Sequence, residues 1–213
     1  MEIIKCKDNN CKRCDMSDET LEHIISELNS GKLVVYPTET LYGLGADPFD
    51  EAAVKHVFMA KKRPFDMPLS IAVSNVRMME ELAVLDNRAR KLIDKFLPGP
   101  LTLLLQKKAL VPDIVTAASN EVGIRMPDHP FALRLIEEFG PIISTSANLH
   151  SHPNPYDVQL AIKDLGESAS IYVDCGPTKY GKPSTIVQLM EGEVEVIRPG
   201  AIPISEVEAV LHG

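Results

Sequence analysis

Apolar residues recur along the chain with two alternating periods, one typical of amphipathic helices and one typical of buried strands. A helix is predicted after Ser17, whose hydroxyl can cap it, and a second after Asp50, with its last turn at Lys61. Helices are also predicted over residues 88–96 and 128–139 and, from the capping pair Ser205 and Glu208, near the C-terminal end. Short apolar runs predict strands at residues 33–36, 69–73, 101–105, 122–125, 141–144, 171–174, 185–190 and 194–197.

The connections between these elements predict an α/β fold with a mixed sheet. Some strands are joined through helices and others through tight turns, and the last two form a predicted hairpin around residues 191–192. The 213 residues, 45% of them hydrophobic and 24% charged, are enough for one hydrophobic core. We expect a Cys-rich extension over residues 1–16 and a single folded domain over residues 17–213.

Charge and hydropathy argue against two broad classes of protein. The net charge of −8 disfavours broad binding to a polyanion, although it leaves room for a local basic pocket. The chain contains no run of about 18 apolar residues, so no membrane span is predicted. Residues 1–15 lack the apolar segment of a signal peptide, and a cytoplasmic location is therefore expected.

The cysteines are concentrated near the N-terminus. Cys6, Cys11 and Cys14 fall within the first 14 residues, and Cys175 lies far along the chain. A structural zinc ion needs four ligands, and Cys175 or a histidine could complete such a set. Because the local pattern is incomplete, free thiols in a mobile cytosolic tail are the favoured interpretation, and a metal site is the alternative.

Residues 176–182 match the phosphate-binding pattern G-x4-G-K in an unsuitable context. Pro183 stands where a magnesium-binding Ser or Thr is required, and a strand rather than a helix is predicted to follow. We therefore expect a loop between strands that could close over a ligand.

Two short segments carry side chains suited to a polar or anionic ligand. Lys61 and Arg63 lie at the end of a predicted helix, where Pro64 turns Arg63 away from helical geometry into the next loop. There they could neutralise a triphosphate, or cap the helix in solvent. Ser146 and Asn148 follow a predicted strand, which is typical of ligand contact in α/β folds and also of a simple turn.

Two arginines and three histidines complete the candidates for chemistry. Arg125 and Arg198 each end a predicted strand, where they could bind anions or form surface ion pairs. His129, His150 and His152 have no Ser or Cys partner at a recognisable spacing, and no orienting acid is evident. We expect chemistry by positioning and charge neutralisation, which needs no nucleophilic side chain.

Eight short segments occur in an order that matches a known family. They are PTETLYGLG at residues 37–45, K-x-R at 61–63, Pro-Leu at 68–69, LPGPLTL at 97–103, GIRMP at 123–127, S-x-N at 146–148, PSTIV at 183–187 and IRPG at 197–200. With these segments the sequence resembles the YrdC family, the L-threonylcarbamoyladenylate synthases, from about residue 29 to residue 211. The resemblance implies a twisted mixed sheet with flanking helices around a large, concave, positively lined cavity.

The resemblance also implies a reaction. L-threonine, bicarbonate (or CO2) and ATP would form threonylcarbamoyl-AMP and pyrophosphate, with Mg²⁺ accompanying the ATP and held mainly by ATP oxygens and water. A downstream threonylcarbamoyl-transferase complex would then modify an adenosine of tRNA, and direct contact of this chain with tRNA is left open.

Individual residues receive roles from the same resemblance. The threonine site would consist of Thr40, Arg125, Ser146 and Ser184, with Arg125 pairing with the carboxylate. The ATP site would consist of Lys61, Arg63, Met67, Asn148, Tyr156 and Arg198. Lys61 and Arg63 are also the predicted catalytic residues, because they would stabilise charge as pyrophosphate leaves.

The sequence departs from the family pattern at three positions, and two other functions are alternatives to the synthase. Met67 stands where many relatives carry Asn, Ala72 where some carry His, and Tyr156 where Thr or Ser is common. An RNA-binding module that uses the same basic cavity is the alternative function, although an aromatic content of 5% offers few stacking platforms. A carbamoyl-transfer relative of hydrogenase-maturation proteins is a third, disfavoured because the accompanying modules are lacking.

Overall fold

The fold is organised by one twisted sheet, seen in a computed structural model that describes residues 1–6, 16–190 and 193–212. Within those residues ten strands form the sheet. They are β1 (Glu2–Lys5), β2 (Val34–Tyr36), β3 (Gly43–Gly45), β4 (Ser70–Ala72), β5 (Leu101–Gln106), β6 (Glu121–Arg125), β7 (Ile142–Ser146), β8 (Ile171–Asp174), β9 (Thr185–Leu189) and β10 (Val194–Arg198).

The sheet is mixed, as the connections predicted. The strand order is β1-β8-β2-β3-β7-β4-β6-β5-β9-β10. The pairs β1–β8, β2–β8, β4–β6 and β5–β9 are parallel, and the remaining neighbours are antiparallel. β9 and β10 form the predicted antiparallel pair, but the turn expected at residues 191–192 lies outside the described residues.

Helices cover both faces of the sheet because neighbouring strand residues point to opposite sides. In β2, Val34 and Tyr36 enter one hydrophobic cluster, and Val35 enters the other. The described helices are α1 (Asp18–Asn29), α2 (Glu51–Lys61), α3 (Val76–Leu82), α4 (Asn87–Phe96), α5 (Asp113–Thr116), α6 (Pro130–Phe139), α7 (Val158–Leu165) and α8 (Ile204–His212). Residues of α1 and α6 pack in the cluster of Tyr36, and residues of α2, α3, α4 and α7 pack in the cluster of Val35.

Two predicted helix starts are confirmed and two are wrong. Ser17 caps α1, and Asp50 caps α2 with bonds from two backbone N–H groups. Helix α8 begins at Ile204, so Ser205 lies inside it and not at its cap. The N–H of Glu206 already bonds to the carbonyl of Pro203 at 3.1 Å, two residues earlier than a Ser205 cap would allow. Helix α6 begins at Pro130, because proline fits the first helical position without needing an N–H.

The N-terminal residues and their cysteine differ from the sequence-based expectation. The first residues assigned to the extension form β1, which pairs with β8 in the same sheet. Cys6 is buried and forms a disulfide with Cys175, so the expectation of free thiols in a tail is wrong for these two. Cys11 and Cys14 lie outside the described residues. Within the described residues, no helix has both the length and the apolarity required to cross a bilayer.

One half-buried histidine gives the fold a pH dependence. Burial lowers the pKa of His129 to about 4, and its Nδ1 has no hydrogen-bond partner among the described residues. In the unfolded chain the imidazole titrates near 6.5. Between these two values the unfolded state binds more protons than the native state. The contribution of His129 to stability is therefore present above pH 6.5 and is lost as pH falls towards 4.

We expect the substitution His129→Gln to flatten the fall in the free energy of unfolding between pH 6.5 and 4. Urea denaturation at half-unit steps of pH measures this slope for the two proteins, and His212→Gln, which removes an exposed histidine, is the control. Equal slopes for the wild type and His129→Gln would contradict the prediction.

Candidate active site

A cavity opens at the ends of several strands, next to the turn that joins β2 to β3. Three arginines from different elements line it: Arg63 after α2, Arg125 at the end of β6 and Arg198 at the end of β10. Its hydroxyl lining consists of Thr38, Thr40, Tyr42, Ser70, Thr102, Ser144, Thr145, Ser146 and Ser184. None of its lining residues, among those that the structure describes, is Asp or Glu. Such a cavity suits ligands that carry several negative charges.

Arg125 is held at the cavity wall by the turn that carries Thr40. Its Nη1 donates to Thr40 Oγ1 at 3.0 Å, and its Nη2 donates to Glu39 Oε1 at 2.6 Å. Both charged residues are buried, with 7% of Arg125 and 2% of Glu39 exposed. Two points of attachment fix the plane of the guanidinium, which is the geometry required to grip a carboxylate with its remaining N–H groups.

The turn that carries Thr40 is shaped by its own hydroxyls and by a glycine. Thr38 Oγ1 donates to the carbonyl of Leu41 at 2.6 Å and lies 2.9 Å from Thr40 Oγ1. In β3, a Cβ on Gly43 would lie 2.9 Å from Cζ of Tyr36, so a larger residue would displace that buried ring. Gly43 therefore lets the strand after the turn lie close to β2.

Ser184 connects the opposite wall of the cavity to a second arginine. Its Oγ lies 2.7 Å from Thr102 Oγ1 and accepts from Arg198 Nη2 at 3.0 Å. Burial, followed by the charges of Arg125 and Arg63, lowers the pKa of Arg198 to about 10. Arg198 remains a cation at neutral pH, but a poorly solvated one, and a bound anion would stabilise it.

A β-bulge at the end of β10 sets the direction of Arg198. Val196 pairs with Val187 of β9, whereas Arg198 pairs with the next residue, Ile186. Ile197 is therefore the extra residue, and 47% of it is exposed. Bulges of this kind re-aim side chains, and here the bulge is accompanied by Arg198 lining the cavity.

The end of helix α2 turns Arg63 out of the helix into the next loop, as the sequence predicted, and there Arg63 lines the cavity. Lys62 takes the left-handed conformation, with φ 49°, and the Arg63 N–H bonds to the carbonyl of Phe58 at 2.9 Å. The guanidinium then donates to two backbone carbonyls, from Nε to Met67 at 3.2 Å and from Nη2 to Pro68 at 2.9 Å. Burial lowers the pKa of Arg63.

Lys61 lies behind the cavity. It is 2% exposed, and its Nζ donates to the carbonyl of Ser146, to the carbonyl of Asn148 at 2.7 Å and to Asn148 Oδ1 at 3.3 Å. Burial, followed by the charge of Arg63, lowers the pKa of Lys61 to about 7, and the charge of Asp164 opposes this shift. In its protonated form the Lys61 side chain has three N–H groups, and the S-x-N segment supplies three acceptors for them.

Asn148 and Tyr156 flank the cavity without lining it. Asn148 is buried, and its Nδ2 donates to the carbonyls of His152 at 2.8 Å and Pro153 at 3.2 Å. Tyr156 is 52% exposed, and its carbonyl accepts from the N–H of Thr178. Asn148 thus organises the loop after β7, while Tyr156 contacts the loop that follows β8.

The structure therefore brings together most of the predicted site. Six of the predicted residues line one cavity: Thr40, Arg63, Arg125, Ser146, Ser184 and Arg198. The other four stand next to it without contributing to its lining: Lys61, Met67, Asn148 and Tyr156. Sequence reasoning missed Glu39 and Thr102, although Glu39 lies inside PTETLYGLG and Thr102 inside LPGPLTL. Their presence within those two segments was the available signal.

Two other sequence-based interpretations concern the loop at residues 176–183 and the histidines. Residues 176–183 form no helix, and β9 begins at Thr185, so this loop is not a P-loop, as predicted. The expectation that no histidine has an orienting acid is wrong for His152, whose Nδ1 lies 3.1 Å from Asp164 Oδ1. Asp164 also accepts from the backbone N–H of Leu149, so the pair shapes the loop after Asn148.

The described residues near the cavity offer few side chains of the kind that bind a metal ion. Across residues 1–6, 16–190 and 193–212, no three or more His, Cys, Asp or Glu side chains are grouped as a metal site would require. The hydroxyls of the lining are the polar oxygens that could approach an ion. An ion brought in by a phosphate ligand would keep that ligand and water as its main partners.

Comparisons with known proteins agree with this architecture. A family model for the Sua5/YciO/YrdC domain, described as telomere recombination, matches residues 26–200. A putative threonylcarbamoyl-AMP synthase of Methanocaldococcus jannaschii is 40% identical over 188 residues, which are 88% of this chain and 89% of that protein. The threonylcarbamoyl-AMP synthase of Bacillus subtilis is 40% identical over 199 residues, which are 92% of this chain and 57% of that longer protein.

A solved structure of a relative superimposes on nearly the whole of this fold. The crystal structure of Pyrococcus abyssi Sua5 complexed with L-threonine superimposes with a TM-score of 0.92 at 38% identity. The match covers 99% of this chain and 61% of that one. The sheet order, the eight ordered segments and these relatives lead to one conclusion, that the chain belongs to the Sua5/YciO/YrdC family.

Proposed function

We propose that this chain is a threonylcarbamoyl-AMP synthase, a nucleotidyltransferase that forms threonylcarbamoyl-AMP and pyrophosphate from L-threonine, bicarbonate (or CO2) and ATP. The observation that carries this proposal is the single cavity lined by three arginines and by hydroxyls, with no lining carboxylate among the described residues. A family relative of known structure binds L-threonine, and two relatives that are 40% identical carry this activity in their names.

Arg125 is suited to the amino acid. Its guanidinium is fixed by Thr40 and Glu39, so its remaining N–H groups are oriented before the carboxylate arrives. Ser184 Oγ, already bonded to Thr102 and Arg198, offers a polar partner on the facing wall. A small polar amino acid with a hydroxyl matches these donors and acceptors better than an apolar one.

Arg63 and Arg198 are suited to the phosphates. Each is partly buried and donates to neutral oxygens, so each retains its full positive charge. In the proposed reaction the threonine nitrogen bonds to the CO2 carbon and loses a proton. A carbamate oxygen then bonds to the α-phosphorus as the bond to pyrophosphate breaks. Fixed cations stabilise the charge that builds up on the leaving phosphates.

Lys61 supports this geometry from behind. Because its ammonium is bonded to the S-x-N segment, we propose that it positions Ser146 and Asn148 instead of contacting the phosphates in this arrangement. Mg²⁺ would enter with ATP and neutralise phosphate charge, and the lining hydroxyls and water could complete its shell. A transferase complex acting on tRNA adenosine, direct contact of this chain with tRNA and a cytoplasmic location belong to the proposal as further expectations.

A ternary assay tests the proposed function. Pyrophosphate release should require ATP, threonine and bicarbonate together, and threonylcarbamoyl-AMP should be detectable by mass spectrometry in the same mixture. ATP turnover that is indifferent to threonine or to bicarbonate would overturn the proposal. Salt-sensitive binding of tRNA without adenylate formation would favour the RNA-binding alternative instead.

We expect Arg63→Ala to lower kcat/KM for pyrophosphate formation at least about tenfold, which corresponds to about 1.4 kcal/mol of transition-state stabilisation. The reason is the loss of a partly buried cation that faces the leaving phosphates. Arg77→Ala, which removes an exposed arginine paired with Glu81, is the matched control and should leave the rate unchanged. Equal rates for Arg63→Ala and the control would remove Arg63 from the mechanism.

We expect Lys61→Met to lower the free energy of unfolding by about 2 kcal/mol, because it removes the buried group that donates to the carbonyls of Ser146 and Asn148, and the carbonyl of the buried Asn148 loses that donor. Lys62→Met is the neighbouring control, since Lys62 is exposed and its loss should change stability by less than about 0.5 kcal/mol. Urea denaturation measures both. A Lys61→Met protein as stable as the control, with lower activity, would show that Lys61 acts on the substrate instead.

A further inference from the structure

Glu39 distinguishes one of the cavity arginines from the other two. Among the described residues it is the carboxylate that is ion-paired with a lining arginine, through the 2.6 Å contact of its Oε1 with Arg125 Nη2. Arg63 donates to backbone carbonyls, and Arg198 donates to the carbonyl and hydroxyl of Ser184. Arg125 with Glu39 is therefore a neutral pair, whereas Arg63 and Arg198 keep a net positive charge each.

Three cations in one cavity could bind two anionic ligands in more than one arrangement. Arg63, Arg125 and Arg198 line the same cavity, and the charges of Arg125 and Arg63 both act on Arg198. A polyphosphate could in principle bind to any two of them. If it occupied Arg125, the amino acid would lose its partner, and the two substrates would exclude each other.

The Glu39 carboxylate affects binding of the two ligands at Arg125 differently, because the two ligands carry different charges. An anion bound at Arg125 lies close to the Glu39 carboxylate behind it, and the resulting repulsion grows with the charge of the anion. A polyphosphate is therefore strongly disfavoured there. A zwitterionic amino acid has one carboxylate, and its ammonium group is attracted by the same buried carboxylate.

We propose that Glu39 is a specificity-determining residue that reserves Arg125 for the carboxylate of an amino acid and directs the polyphosphate of the nucleotide to Arg63 and Arg198. The inference rests on the proposed function, since it assumes an amino acid and a nucleoside triphosphate in one cavity. Glu39 does not line the cavity and acts through Arg125, so it is a positioning residue and not a catalytic one.

Equilibrium binding separates this role from a merely structural one. Threonine is titrated into the full chain by calorimetry, with and without saturating inorganic tripolyphosphate, in the presence of a chelator that removes divalent ions. For the wild type we expect the two ligands to bind together, with the Kd of threonine changed by less than threefold. For Glu39→Gln, which keeps the size and a hydrogen-bonding oxygen but removes the charge, tripolyphosphate should raise the apparent Kd of threonine at least tenfold.

The control is Glu121→Gln, a carboxylate on the same strand as Arg125 that accepts from Gln188 Nε2 and lies outside the cavity lining. It should behave as the wild type. A folded Glu39→Gln protein that binds threonine independently of tripolyphosphate would overturn the inference, and so would equal competition in the wild type.

Two further readouts keep the test decisive. If Glu39→Gln does not fold, Glu39→Met takes its place, because it also removes the charge and has a side chain of similar length. It should show the same rise in the apparent Kd of threonine, and no competition in a folded Glu39→Met protein would overturn the inference. A wild type that binds no threonine at all would instead refute the proposed function, and the inference with it.

Discussion

The rest of the site depends on the ammonium group of Lys61. Helix α2 and the end of strand β7 are separated by 85 residues along the chain, and the Lys61 Nζ joins them through carbonyls of Ser146 and Asn148. This one group therefore ties the last turn of α2 to the S-x-N segment. Arg63 follows two residues later and Ser146 carries a lining hydroxyl, so two walls of the cavity share a single buried anchor. Burying a charge is costly unless its donors are satisfied, and here they are.

The cavity is built from strand ends because a sheet edge leaves backbone and side chains free to face a ligand. Each arginine comes from a different element and is oriented by a different kind of partner. Arg125 is held by a carboxylate, Arg63 by backbone carbonyls, and Arg198 by Ser184, the residue just before β9. Binding groups that are oriented before the substrate arrives need no reorganisation during the reaction. The arrangement is the kind of preorganisation that a reaction without a protein nucleophile requires.

Sequence reasoning predicted much of the fold because many local signals agree with the tertiary structure. Caps at Ser17 and Asp50 and the apolar runs of the central strands are local properties, and they mark elements that the structure confirms. Strand β3 was missed because its sequence, Gly-Leu-Gly, has little strand propensity, and it forms a strand by pairing with β2 and β7. Strand β1 and its disulfide were missed for a similar reason, since both depend on β8, which lies far along the chain.

The candidate site shows the same division between local and long-range information. The K-x-R, S-x-N and PTETLYGLG segments could be recognised from the residues, but the burial of Lys61 and the ion pair of Glu39 follow from contacts across the fold. Nothing in the spacing of β10 predicts its bulge, either. That bulge makes the number of residues in β10 matter for the cavity. Deleting Ile197 would remove the extra residue, and the bulge with it. The ladder between β9 and β10 would then lack the local bend that re-aims Arg198, and the cavity would lose the orientation of one of its three cations.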